Sequence, residues 1–206
     1  MEDKNLQALK DIQSMMAKSS RFISLSGLSG IAAGICAMIG AFLANQAIAP
    51  YYRNYESGVS VPAELRDRLI IIGLLVFIAA LITSFLFTLR KSKKDNIPIW
   101  GQTSLRLLWN TFLPMGIGAA LILKLIMENN YDLVAPACLL FYGLGLINGS
   151  KYTLSEIKYL GYAQVVLGLL NLWLPLQGLY FWAIGFGILH IVYGFIMWNK
   201  YERVSD

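Results

Sequence analysis

The stretch Gly185 to Gly194, GFGILHIVYG, holds the only histidine of the chain inside one of its most apolar segments. Trp182 and Trp198 stand eight residues to either side of His190, in the positions of membrane-interface anchors. The segment therefore reads as a helix crossing a bilayer. The imidazole falls about 12 Å from each anchor at 1.5 Å rise per residue, near the midplane. A charge there costs roughly 3 kcal/mol or more, so a neutral ring hydrogen-bonded to a neighbouring helix is expected.

The composition points the same way. Of the 206 residues, 57% are hydrophobic and 14% charged, and the mean hydropathy is +0.58. Soluble domains carry about 25% charged residues, so charge is too scarce here to coat a globule. The net charge of +5 suits basic cytoplasmic loops, and nucleic acid is not expected as a partner. Cys36 and Cys138 both lie in apolar runs and read as small packing residues. The first twenty residues lack the layout of a secretory signal, so the first apolar run is expected to persist in the mature protein.

Apolar runs near the required 20 residues occur at 22–43, 69–89, 107–127, 133–149, 159–174 and 179–198. The expected fold is all-α: a polytopic membrane protein of six transmembrane helices, for which three antiparallel hairpins are one arrangement. LPLQG, Leu174 to Gly178, predicts a tight turn between the last two spans. Residues 1–19 carry Leu6, Leu9 and Met16 at helical spacing and read as an amphipathic helix in the headgroup plane, ahead of a transmembrane domain over 20–206.

With the N-terminus inside, the inner segments hold Lys4, Lys10, Lys18, Arg21, Arg90, Lys91, Lys93, Lys94, Arg106, Lys151, Lys158, Lys200 and Arg203. Only Arg53, Arg66, Arg68 and Lys124 fall outside. Both termini are thus expected in the cytoplasm, in the cell membrane (a bacterial inner membrane). RKSKK, Arg90 to Lys94, reads as a retention signal or an anionic-lipid site. Tyr51, Tyr52 and Tyr55 of the long outer loop read as an aromatic belt.

Helices associate in lipid through small residues that allow close approach. Gly27, Gly30 and Gly34 form one stripe. Gly161, Gln164, Gly168 and Asn171 form a second, and Gly187, His190, Gly194 and Met197 a third, with the same offsets. Each stripe is expected to face protein. Gln164, about a turn from His190 in depth, is the first candidate partner for the imidazole, with Tyr193 on the flank. Asn110, Asn148, Tyr152 and Glu156 are expected to extend this into one polar cluster in the cytoplasmic half. That cluster is either interhelical glue or a cavity for a small molecule or lipid. Thr153 with Glu156 also fits a capping box at the start of the fifth span.

Catalytic patterns are missing. There is no HExxH and no GxxxxGK[ST], and one His with two separated Cys assembles no zinc set. GLSG, Gly27 to Gly30, lacks the context of a nucleophile elbow. Glu128, Asp132 and Glu156 all lie near span ends, which disfavours an ion-coupled pump. The expectation is a non-enzymatic membrane protein with no cofactor or metal, in a sensory or accessory role. Its partners would be membrane lipids and a small-molecule ligand. The alternative is a small transporter or channel, homodimeric through the stripe of span one.

GYAQVVLGLLNLWLP and FWAIGFGILHIVYGF, through Gly161, Gly168, Pro175, Gly187 and Gly194, resemble a helical hairpin of the HdeD-like (DUF308) membrane proteins. The resemblance covers about a fifth of the chain. It implies six spans in three hairpins and a link to stress, and it carries over no catalytic residue.

Overall fold

The structure, a computed structural model, describes residues 26–51, 62–95 and 99–203. The expected headgroup helix at 1–19 lies outside the described residues, as do Tyr52 and Tyr55. The described chain is all helical: α1 Gly27–Ile48, α2 Ala63–Lys94, α3 Gln102–Met127, α4 Val134–Gly149, α5 Ile157–Leu172 and α6 Gly178–Tyr201. Short 3₁₀ turns, Tyr131–Leu133 and Ser150–Tyr152, extend α4 at both ends. Five of these helices are long and apolar enough to cross a membrane. The exception is α5, whose 16 residues reach about 24 Å, short of a hydrocarbon core of about 30 Å.

Contacts fix the relative directions. A Cβ on Gly30 would stand 3.1 Å from the Gly194 Cα, and one on Gly34 would stand 2.7 Å from the Gly187 carbonyl oxygen. As α1 advances, α6 therefore recedes. Gly40 against Val76 and the Ser84 hydroxyl on the Ser29 carbonyl make α1 and α2 antiparallel. Gly145 against Thr111 and Gly118 against Phe141 do the same for α3 and α4. Gly143 against Gly161 and Gly168 against Leu140 do it for α4 and α5. Direction thus alternates through all six helices.

Two three-helix arrays result. In one, α1 lies between α2 and α6; in the other, α4 lies between α3 and α5. They meet where the first half of α6 leans on α4 and α5. The outermost helices, α2 and α3, bury little: Leu65 and Ser92 in α2, Ser104 and Gly118 in α3. Their long apolar faces stay exposed. The joint between α5 and α6 is narrower than a tight hairpin would make it. The two touch at Gln164–Gly185 and Asn171–Gly178, while α5 packs chiefly on α4 and α6 chiefly on α1. The stripe Gly27, Gly30, Gly34 is covered by Trp198, Gly194, His190 and Gly187 of the same chain, so that face is already filled.

One end of the bundle collects the charge. Arg90, Lys91, Lys93, Lys94, Arg106, Lys151, Lys158, Lys200 and Arg203 all sit at the end where α1 begins, against Arg66, Arg68 and Lys124 at the other. At this basic end Glu202 caps α1 from a distance. Its Oε1 accepts the Gly27 N–H at 2.5 Å and its Oε2 accepts the Ser26 hydroxyl at 3.1 Å. A carboxylate there also meets the positive end of the α1 dipole. Lys91, 4.0 Å away, ties in α2.

Candidate functional site

The polar residues form three groups rather than one cluster, and each group has its own cause. The first lies between α3 and α4. Pro114 sits inside α3 and has no N–H, so the carbonyl four residues earlier, Asn110, loses its helical donor. The Asn148 side-chain amide supplies the replacement, donating to the Asn110 carbonyl at 3.0 Å and to its Oδ1 at 3.2 Å. Asn110 Nδ2 donates to the Arg106 carbonyl at 2.8 Å, and Asn148 Oδ1 accepts from Lys151 at 3.4 Å. Every side-chain polar atom of this pair is used.

The second group surrounds Gly185. Residues Ala183–Ile188 of α6 form a π turn. The Leu189 N–H, which an α-helix would direct to the Gly185 carbonyl, goes to Ile184 instead. The Gly185 carbonyl accepts Gln164 Nε2 at 2.7 Å and His190 Nδ1 at 2.9 Å. A carbonyl only accepts, so Nδ1 carries the proton; Nε2 is then the acceptor for the Tyr142 hydroxyl on α4, at 2.6 Å. Phe186 stacks on the imidazole at 6.0 Å, and Trp182 flanks Phe186. Both ring nitrogens are occupied, and in a neutral ring these partners select the Nδ1–H tautomer. His190 is not bonded to Gln164, the partner that depth alone ranks first, because both are donors to one carbonyl.

Gly185 gives these groups room: a Cβ there would stand 2.6 Å from Gln164 Oε1 and meet the Leu139 side chain, so both would have to shift. That Oε1 is the odd atom of the group. Gln164 is fully buried, its amide nitrogen is committed, and its oxygen has no hydrogen-bond partner.

The third group is at the basic end. Glu156, immediately before α5, accepts from the Lys200 ammonium and, at 2.5 Å, from the Tyr201 hydroxyl, both at the end of α6. The expected capping box is not formed. Helix α5 starts at Ile157, with Glu156 rather than Thr153 in the capping position and no side-chain cap bond. Burial pushes the Glu156 carboxyl up, but the hydrogen bonds from Lys200 and Tyr201 outweigh it and hold the group down at about 2. Its Oε2 is buried without a partner, as is the Tyr193 hydroxyl, which lies within electrostatic reach of Glu156, Tyr201 and Tyr142. Tyr152 is half-buried in the turn after α4. At the far end Asn171 Nδ2 closes α5 on the Leu174 carbonyl at 3.1 Å, and its Oδ1 is also unpartnered.

Among the described residues four buried oxygens thus lack a hydrogen-bond partner; three belong to α5 or the residue just before it and spread from its start to its end, and the fourth, that of Tyr193, is on α6. Among the described residues no group of His, Cys, Asp and Glu could hold a metal. A cavity of about 200 Å³ lined by Ala47, Tyr51, Glu64, Leu65 and Arg68 lies at the opposite end, away from this seam.

The sequence alone does not single out Tyr142, or Lys200 and Tyr201, as members of these groups. Tyr142 carries a signal all the same: a phenol at the centre of a span, where an interface role does not explain it. The π turn carries none. Comparison with protein-family models, characterised proteins and solved structures found no match.

Proposed function

We propose that the chain is a membrane protein crossing the bilayer six times with both termini in the cytoplasm, and that it binds a small molecule along the α5–α6 seam without catalysing a reaction. Alternating direction supports counting α5 as a crossing, since the turns at its two ends belong to opposite ends of the bundle. Among the described residues, nine basic residues at one end against three at the other support placing that end inside. The observation that carries the binding reading is Gln164 Oε1, a buried acceptor near mid-helix with no donor. Such an atom costs about 1–3 kcal/mol unless something fills its lone pairs. A sensory or accessory role fits a site that no deep carboxylate accompanies. A transporter or channel is the second reading, favoured by the spread of the unpartnered oxygens from Glu156 to Asn171 along the whole of α5.

The experiment pairs two measurements on the purified protein. A library of polar small molecules and headgroup-bearing lipids is screened for thermal stabilisation in detergent, because a ligand bound to the folded state alone raises its stability. Solute flux is then followed in liposomes, with and without an ion gradient. Stabilisation that Gln164→Leu removes, without flux, is the expected outcome. Flux that the same change alters favours the second reading, and neither response in either assay sinks both.

A further inference from the structure

Glu156 joins the two three-helix arrays, and only half of its carboxylate is used. Oε1 takes both donors from α6, the Lys200 ammonium and the Tyr201 hydroxyl, while Oε2 is buried and has no partner. Along the seam the unpartnered atoms are Glu156 Oε2, Tyr193 Oη, Gln164 Oε1 and Asn171 Oδ1. Three are acceptor-only and the fourth is a hydroxyl, so a ligand has to bring donors. The cation that touches this carboxylate, Lys200, is engaged by its Oε1. The chain itself shows what this carboxylate accepts, because its resting occupant is a primary ammonium on a lysine stem that is 56% exposed. Tyr193 lies seven residues before Lys200 in α6, two turns deeper on the same face.

We propose that the basic end of the α5–α6 seam is a primary-amine site, in which a protonated amine displaces Lys200 from the Glu156 carboxylate and donates to it, the unpartnered Oε2 included, with its stem toward Tyr193 and Lys200 as the tethered competitor. This rests on the ligand-binding reading above and narrows it to one chemical class. Three N–H donors on a compact ammonium suit a carboxylate oxygen beside a phenol hydroxyl. A quaternary ammonium has the charge without the donors, and a carboxylate has neither. Displacement of Lys200 would also unfasten α6 from the start of α5, which couples occupancy to the contact between the two arrays.

The test uses the full chain in detergent at pH 7 and constant ionic strength. Its thermal unfolding midpoint is followed against n-propylammonium, tetramethylammonium and butyrate. Propylammonium should raise the midpoint saturably, and the other two should not. Lys200→Met should bind propylammonium about tenfold more tightly, since the competing occupant is gone, and Tyr193→Phe should weaken it. Glu156→Gln should abolish the response; if that variant does not fold, the Lys200→Met comparison decides alone. Equal responses to all three probes, no response to propylammonium, or an unchanged affinity in Lys200→Met overturns the proposal. If propylammonium fails while the library screen yields a Gln164-dependent compound of another class, the amine assignment falls and the binding reading stands. If the screen is also blank, both fall.

Discussion

The α3–α4 contact and the α5–α6 seam solve the same problem in opposite ways. In each, a helix irregularity alters the donor available to a carbonyl: Pro114 strips Asn110 of its helical partner, and the π turn redirects the Leu189 N–H away from Gly185. In each, side chains from a neighbouring helix step in. Between α3 and α4 every donor and acceptor is matched, with Asn110 and Asn148 using all of their side-chain polar atoms. Along α5 and α6 the matching is incomplete, and four buried oxygens remain. The two contacts draw on the same residue types and differ in their leftover acceptors, and that difference is what the binding reading proposed above rests on, because a buried polar atom without a partner is costly wherever it lies.

The largest expected effect comes from the better-filled part of the seam. His190→Leu removes a donor from the Gly185 carbonyl and strands the Tyr142 hydroxyl inside the bundle. The cost should be on the order of 1–3 kcal/mol in reversible unfolding from mixed micelles. A change within a few tenths would mean that the imidazole is filler and that the contrast between the two regions has been drawn in the wrong place.

Asn148→Leu should cost about 1–2 kcal/mol, because the Asn110 carbonyl is then left with no donor. Combined with Pro114→Ala, most of that cost should disappear, since alanine in place of the proline restores the helical N–H. A double-mutant cycle reads this coupling directly. Additive single effects would show that Asn148 does not serve the proline gap.

The smallest effect is a pH dependence at the basic end. The Glu156 carboxyl is held at about 2, below its ordinary 4.5. A depressed carboxyl contributes its stability above the unfolded value and loses it as pH falls toward the folded one. Wild type should therefore lose stability between about pH 4.5 and pH 2 relative to Glu156→Gln, with no difference in slope between about pH 6 and pH 8. The thermal midpoint across that range checks this. Parallel curves for the two proteins at low pH would remove Glu156 from the joint.

Much of the scaffold was legible in the chain. The six helices begin and end near the apolar runs, and five of them are long and apolar enough to cross a membrane, because apolar length is a local property of the chain. The site was legible only in part. His190, Gln164, Asn110, Asn148, Glu156 and Tyr193 stand out as polar residues among apolar ones, but their grouping does not follow from that. Depth along the helix axis, which the sequence supplies, places Gln164 beside His190. Azimuth, which it does not, makes them joint donors to one carbonyl and brings in Tyr142 as the second partner of the ring.

By itself the sequence determined that the chain is helical, roughly where its apolar helices run, and at which end the basic residues of the described chain gather. Those properties are local: hydrophobic length, small-residue spacing and charge add up along the chain without reference to what lies opposite. Only the tertiary structure decided that α1 shares its glycine stripe with α6 rather than with another copy, that α5 turns to α4, and which buried oxygens are left over. Satisfaction of a hydrogen bond is a property of two groups and the angle between their helices, and no reading of one strand of letters contains that angle.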